Sequence, residues 1–308
     1  LLTTAEKSLS AVVGAMIPRV SDQIDPVGID LYADDVNGTP DIGTVIAAGD
    51  PWGFCVLKAA EGTYYDAGAW LKTQWAAVRN TSRYGVTWLG GMYTYLRADE
   101  DGAAQADWFL ACAKRAGGLD ALSLVPILDF ESAEQPANVT AAQVEDCLSA
   151  CAARIKQQLG CSPLRYTGSF FRDLGITAQC GCPYLWVADY ASTLNPAEYT
   201  DQGYTLANTW GWQYRGTSPQ AAGPKNYPMT APVGPGGAQE PIDLTAIIIN
   251  GGGDPTAQLA WTRAKLLVGS LGSTTSSIIA ASPLIVPARP AALPRAIASC
   301  PKRPRTRA

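Results

Sequence analysis

Residues 124–131 read Leu124-Val125-Pro126-Ile127-Leu128-Asp129-Phe130-Glu131, an apolar run that closes on two carboxylates. In an extended chain, residues two apart project to the same side. Asp129 and Glu131 therefore leave the end of one buried strand together. Burial penalises an ionised carboxylate that has no partner. Two carboxylates in one pocket also push each other's pKa values apart, which can make a proton donor and a charged stabiliser from similar groups. Read alone, the pair is more often structural, capping a helix or pairing with Arg at the barrel rim, since structural ion pairs resemble sites. The rest of the chain separates these readings.

Seven further short apolar runs flank this one: Val27–Tyr32, Phe54–Ala60, Trp88–Leu96, Leu164–Thr167, Tyr184–Tyr190, Thr209–Tyr214 and Ile242–Ile249. Helical patterns separate most of them. Ile42–Ala48 is a short helix, Ala67–Val78 places Trp70, Trp75 and Val78 on an inner face, and Ala103–Ala116 follows. The clearest helix starts at Thr140, which forms a capping box with Gln143. Val144, Leu148, Cys151, Ile155 and Leu159 then share one face, and Gly160 ends the run. Parallel strands need crossover connections, and strands covered on both faces read as continuous apolar runs. The pattern predicts an α/β fold, a modified (β/α) TIM-like barrel. Residues 215–240 are rich in Gly and Pro and offer no helix between the last two strands, so the barrel departs from the ideal there. Gly90-Gly91 inside the third strand marks a close backbone approach.

Asp30, Glu61, Asp129, Glu131, Asp189 and Asp243 all sit within or at the end of a strand-like run. In β/α barrels the carboxyl ends of the strands converge on the face where chemistry is done. That placement favours a carboxylate-lined pocket over scattered ion pairs. Tyr32, Tyr64, Tyr93, Tyr95, Tyr166, Trp186, Tyr190, Trp212 and Tyr214 share those positions. Tyrosines beside acids suit an amphipathic cleft that stacks on sugar rings and hydrogen-bonds hydroxyls. Trp75, Trp88 and Trp108 read as core.

Composition narrows the chemistry. The chain has 308 residues, 47% hydrophobic and 16% charged, enough for a sizeable core. It has no histidine, which removes Ser-His-Asp and Cys-His nucleophiles and every histidine metal site. Its eight cysteines do not follow a paired CxxC zinc spacing, and no metal or other cofactor is called for. Cys55 and Cys147 fit buried thiols, and one or two disulfides are open to an exported protein. The net charge of −4 divides into +7 for residues 251–308 and −11 for the rest. An acidic body excludes nucleic acid as the main partner. No apolar run reaches the length of a transmembrane helix.

Three regions follow. Residues 1–26 are a leader in which Leu9–Ile17, preceded by Lys7, has some of the character of an export-signal core, against which stands Glu6. Residues 27–252 are the single barrel domain. Residues 253–308 are a Pro/Ser-rich basic tail with the composition of a solvated, disordered segment, and its charge suits contact with anionic wall polymers.

The stretch from Val27 to Gly252 resembles the glycoside hydrolase family 25 muramidases, the Chalaropsis-type lysozymes that include phage endolysins. The matching pieces run in order: Gly28-Ile29-Asp30, Phe54–Gly62 with Asp66, Gly91–Arg97, Pro126–Glu131, Arg165–Gly168, Leu185–Tyr190, Trp212-Gln213-Tyr214 and Ile242-Asp243-Leu244. The resemblance implies hydrolysis of the β-1,4 bond between N-acetylmuramic acid and N-acetylglucosamine, acting on peptidoglycan glycan strands outside the cell or at the wall, after secretion or release by a phage lysis system. It implies Glu131 as general acid, Asp129 as its ionised partner, and Asp30 and Asp243 as the other acids of the catalytic cleft. Tyr166 and Trp186 match cleft positions, and Tyr32, Glu61, Tyr93, Tyr95, Asp189 and Trp212 complete the candidate substrate-binding set. The chain departs from the family at Tyr32, at Tyr93-Thr94-Tyr95 and at Thr245, where members commonly carry Ser, Tyr-His-Phe and Asn. Two other readings are a non-catalytic glycan-binding protein on the same fold and a chitinase-like hydrolase. The first need not keep four costly acids, and the longer acid series of the second is absent from Ser123–Glu131.

Overall fold

Eight strands form the barrel: β1 (Val27–Leu31), β2 (Phe54–Glu61), β3 (Leu89–Tyr95), β4 (Ile127–Asp129), β5 (Leu164–Thr167), β6 (Tyr184–Ala188), β7 (Thr209–Arg215) and β8 (Asp243–Ile247). The computed structural model describes residues 27–33, 53–80, 89–191, 194–215 and 243–248, with shorter pieces at 42, 82–83, 86–87, 230–231, 240–241, 262 and 266–269. Each strand hydrogen-bonds the next in chain order, and β8 pairs back with β1, so the ring is closed. Neighbours from β1 to β7 run parallel. Strand β8 runs antiparallel to both β7 and β1. The departure falls where the sequence of residues 215–240 offers no helical pattern, and an antiparallel return needs no crossover helix.

Among the described residues, three long helices cover the outside: α1 (Gly68–Asn80), α2 (Gly102–Ala116) and α3 (Ala141–Leu159). The Thr140–Gln143 capping box is formed, and Gly160 closes α3 in a left-handed conformation. Helix α1 buries Leu71, Gln74, Trp75 and Val78. Gly90 of β3 lets it settle, since a Cβ there would lie 2.9 Å from both the Trp75 and Val78 side chains.

Alternation along the strands sorts side chains into two cores. Ile29, Leu31, Cys55, Leu57, Met92, Leu128 and Phe130 face the helices. Phe54, Val56, Leu89, Ile127, Leu164, Trp186 and Trp210 fill the barrel. Phe54, Trp210 and Trp186 pack in series, with ring centroids 5.2 Å and 5.7 Å apart. Gly28 makes room for this stack, because a Cβ there would fall 2.4 Å from the Phe54 ring.

The amino-terminal end of the barrel is plugged. Trp210 donates to Thr262 Oγ1 at 3.0 Å, Val125 donates to the Leu266 carbonyl at 2.7 Å, and Leu124 bridges Leu267. Leu266, Leu267 and Val268 are buried there, although composition assigns them to the tail. The fourth strand is shorter than the apolar run. Pro126 lacks an N–H, and the two residues before it turn to Gly90 and to this plug.

The helix expected at Ile42–Ala48 lies outside the described residues except for Ile42, as do Trp88, the leader and most of the tail. Seven cysteines are described, all as free thiols, and Cys55 and Cys147 are buried. Among the described residues, no helix is long and apolar enough to cross a membrane.

Candidate active site

At the carboxyl end of the barrel the inward positions become polar. A cavity of about 180 Å³ opens there. Strand β1 contributes Asp30 and, just beyond it, Tyr32; β2 contributes Lys58 and β3 contributes Tyr93 and Tyr95. Strand β4 delivers Asp129 and, one step past its end, Glu131, while β5 adds Tyr166 and the segment after β6 adds Tyr190. The ladder places Tyr95, Asp129, Tyr166 and Trp186 in one cross-strand row. Same-side alternation carries Glu131 one level above Asp129, nearer the mouth.

Each wall of the cavity is held by hydrogen bonds. Gln213 organises one side: its amide donates to Asp30 Oδ1 at 3.1 Å, and its carbonyl oxygen accepts from the Tyr166 and Tyr190 hydroxyls, the latter at 3.1 Å. On the other side the Tyr95 hydroxyl donates to the carbonyls of Ala133 and Glu131, fixing the backbone that carries the second acid. Lys58 Nζ sits 5.3–5.4 Å from the ring centres of Tyr32, Tyr65 and Tyr95 and bonds Glu61 at 2.8 Å. Among the residues lining the cavity, Lys58 is the one cation.

The electrostatics follow. Burial pushes Asp129 well above the usual carboxylate range, the charge of Glu131 adds to this, and Lys58 opposes it. Asp129 is 7% exposed, and its Oδ1 has no hydrogen-bond partner among the described residues. Burial raises Glu131 too, again against Lys58. Two neighbouring acids under these pressures hold one proton between them over a range in which ordinary carboxyls are ionised. Burial falls hardest on Asp129, the member expected to stay ionised. Glu61 goes the other way. Burial raises it, but hydrogen bonds from Lys58 and Tyr64 and the charges of Lys58 and Arg97 bring it below its ordinary value.

The other candidates are placed as follows. Glu61 stands behind Lys58 and does not line the cavity. Trp186 stands in the same row but does not line the cavity: it is 2% exposed, donates to Thr245 Oγ1 at 3.0 Å and packs edge-on against Tyr166. The Asp189 carboxylate accepts from the Asn195 backbone at 2.8 Å. Trp212 faces the outer core and donates to the Asp189 carbonyl at 2.7 Å. The backbone of Asp243 stands opposite Asp30 in the β1–β8 ladder, and its side chain lies outside the described residues. Lys58, which lines the cavity, and Gln213, which ties Asp30, Tyr166 and Tyr190 together behind it, are not among the candidates, and Tyr190 is among them only as a cleft aromatic. A lone lysine inside the apolar strand Phe54–Ala60 is the signal that marks the first of them.

The sequence pattern of glycosyl hydrolases family 25 matches residues 37–222. No curated protein matches the chain. Among solved structures, the bacterial lysozyme of Streptomyces coelicolor is 23% identical, with a TM-score of 0.56 over 80% of this chain and 98% of that one. A muramidase from Acremonium alcalophilum is 20% identical, with a TM-score of 0.55 over 79% and 98%. A family 25 glycosyl hydrolase from Bacillus anthracis is 18% identical, with a TM-score of 0.55 over 77% and 94%. At these identities the likeness is one of fold.

Proposed function

Because the chain belongs to glycosyl hydrolase family 25 and is a glycoside hydrolase acting on peptidoglycan, we propose that it is a muramidase cleaving the β-1,4 bond from N-acetylmuramic acid to N-acetylglucosamine. The observation that carries this reading is the Asp129–Glu131 pair at the end of β4, inside a cavity walled by tyrosines. Glu131, nearer the mouth, gives its proton to the glycosidic oxygen as the bond to the sugar's anomeric carbon breaks. The N-acetyl oxygen of the same sugar closes on that carbon, and ionised Asp129 steadies the positive ring that forms. Water then opens the ring, and Glu131 takes back a proton. Asp129 loses its share of the pair's proton because positive charge develops beside it. Asp30, held by Gln213, and Asp243 orient substrate and water. The site of action is the wall, reached by export or by release in a phage lysis system, and the basic tail adds contact with anionic wall polymers.

Digestion of purified peptidoglycan tests the reading. The wild type is expected to create new reducing ends of N-acetylmuramic acid, and Glu131→Gln to lose about 10²–10⁴-fold of that rate. New reducing N-acetylglucosamine would overturn the bond assignment. No cleavage by the wild type would leave a glycan-binding protein.

A further inference from the structure

Tyr64 is the most exposed large apolar side chain among the described residues, at 60%, yet it is firmly fixed. Its hydroxyl donates to Glu61, a carboxylate that Lys58 and Arg97 also hold. The turn beneath it is pinned by Gly62 donating to the Tyr95 carbonyl at 3.0 Å and Thr63 donating to Glu100 at 2.6 Å. Gly62 takes a left-handed φ of +50°, and a Cβ there would meet the Tyr64 ring at 2.9 Å. Burial and the Glu61 bond push the Tyr64 hydroxyl up to about 12, so it stays a neutral donor. A surface tyrosine without a task has no need of such anchoring, whereas a ring that receives a ligand gains from being fixed beforehand.

Its position in the ring of strands gives the ligand. Tyr64 follows the carboxyl end of β2, and Tyr190, 41% exposed and lining the cavity, follows that of β6. In the closed order of eight strands, β2 and β6 lie opposite one another. The acids of β4 stand midway along one side between them, and Asp30 of β1 belongs to the other side. A line from the β2 rim to the β6 rim therefore passes between the two sets of acids. An extended chain of sugars with its scissile bond at Glu131 follows that line. Fixed aromatic rings suit pyranose faces, which present C–H bonds to the ring and hydroxyls to its edge.

We infer that Tyr64 is the platform of an outlying sugar subsite, where it stacks on a pyranose ring of the glycan strand beyond the carboxylate cavity. The inference rests on the proposed glycan-hydrolase activity. Its test uses the full chain carrying Glu131→Gln and measures binding of peptide-free glycan strands, a tetrasaccharide and an octasaccharide, by calorimetry. Adding Tyr64→Ala is expected to weaken octasaccharide binding about fivefold or more and to leave the tetrasaccharide unchanged. Tyr64→Phe, which keeps the ring and loses only the Glu61 bond, should retain most of the octasaccharide affinity. Equal losses for both lengths, or none for either, would overturn the subsite. If neither length binds and the wild type cleaves no peptidoglycan, the activity itself fails, and the subsite fails with it.

Discussion

Lys58 faces a pocket that holds Asp30, Asp129 and Glu131, with Glu61 behind it. Its charge works against the burial that drives Asp129 and Glu131 toward their neutral forms. Removing it, as in Lys58→Met, is expected to raise both carboxyls further, so both limbs of the pH–rate profile move to higher pH. A profile that keeps its limbs while falling in height would remove Lys58 from this role. The same burial makes the acids a liability to the fold. A carboxyl whose folded pKa is raised holds a proton that the unfolded chain has released. Its stabilising effect is therefore greatest at pH below about 4 and is lost as pH rises through the raised value. Asp129→Asn should then melt higher than the wild type at neutral pH and lose that advantage at pH below about 4; thermal melts at the two pH values decide this. Glu61, which lies below its ordinary value, has the opposite sign and loses its contribution as pH falls. The acids were legible from sequence because alternation on a strand is a strong rule. Lys58 carries a weaker signal, because a lysine in an apolar strand gains its meaning from Tyr32 just past β1, Tyr65 just past β2 and Tyr95 on β3, which only the barrel brings together.

Strand β7 shows where alternation stops being a guide. Trp210 points into the barrel, so counting by two would send Trp212 inward as well. The pairing with β6 shifts register between Thr209 and Gly211, and a second shift lies between Gln213 and Arg215 in the pairing with β8. Such irregularities re-aim side chains near sites. Here Gln213 turns to Asp30, Tyr166 and Tyr190, and Trp212 turns to the outer core. Trp186 obeys alternation and shares the row of Asp129 and Tyr166, yet it does not line the cavity, because its indole bonds Thr245 and packs edge-on against Tyr166, a choice of direction that alternation leaves open. Helix α3 is the contrary case, since its caps and its buried stripe are local signals and all are formed. Thr140→Ala removes the hydroxyl that accepts from the Gln143 backbone and is expected to cost about 1 kcal/mol, seen as a lower chemical-denaturation midpoint with activity retained.

At the scale of the whole molecule, Thr262 and residues 266–269 pack on the barrel. Residues 253–308 read from composition as a solvated tail, yet Leu266, Leu267 and Val268 within them are buried. They seal the end of the barrel opposite the cavity. Each fully buried side chain of this size contributes about 1.5–3 kcal/mol. A chain ending after Gly269 should therefore keep the melting temperature of the full chain, and one ending before Thr262 should lose several degrees. Equal stability of the two truncations would show the plug to be dispensable.

The antiparallel closure of β8 against β1 has a bearing on timing. During synthesis, residues 27–31 are made before residues 243–247, so one side of β1 waits for its partner while the six barrel strands between them are made. Asp30 and Asp243 become neighbours in the ladder only at that last step. The plug, later still in the chain, then fixes the closed form. A ribosome-bound fragment short of β8 thus carries every described residue that lines the cavity, but on a sheet left with two open edges, β1 and β7.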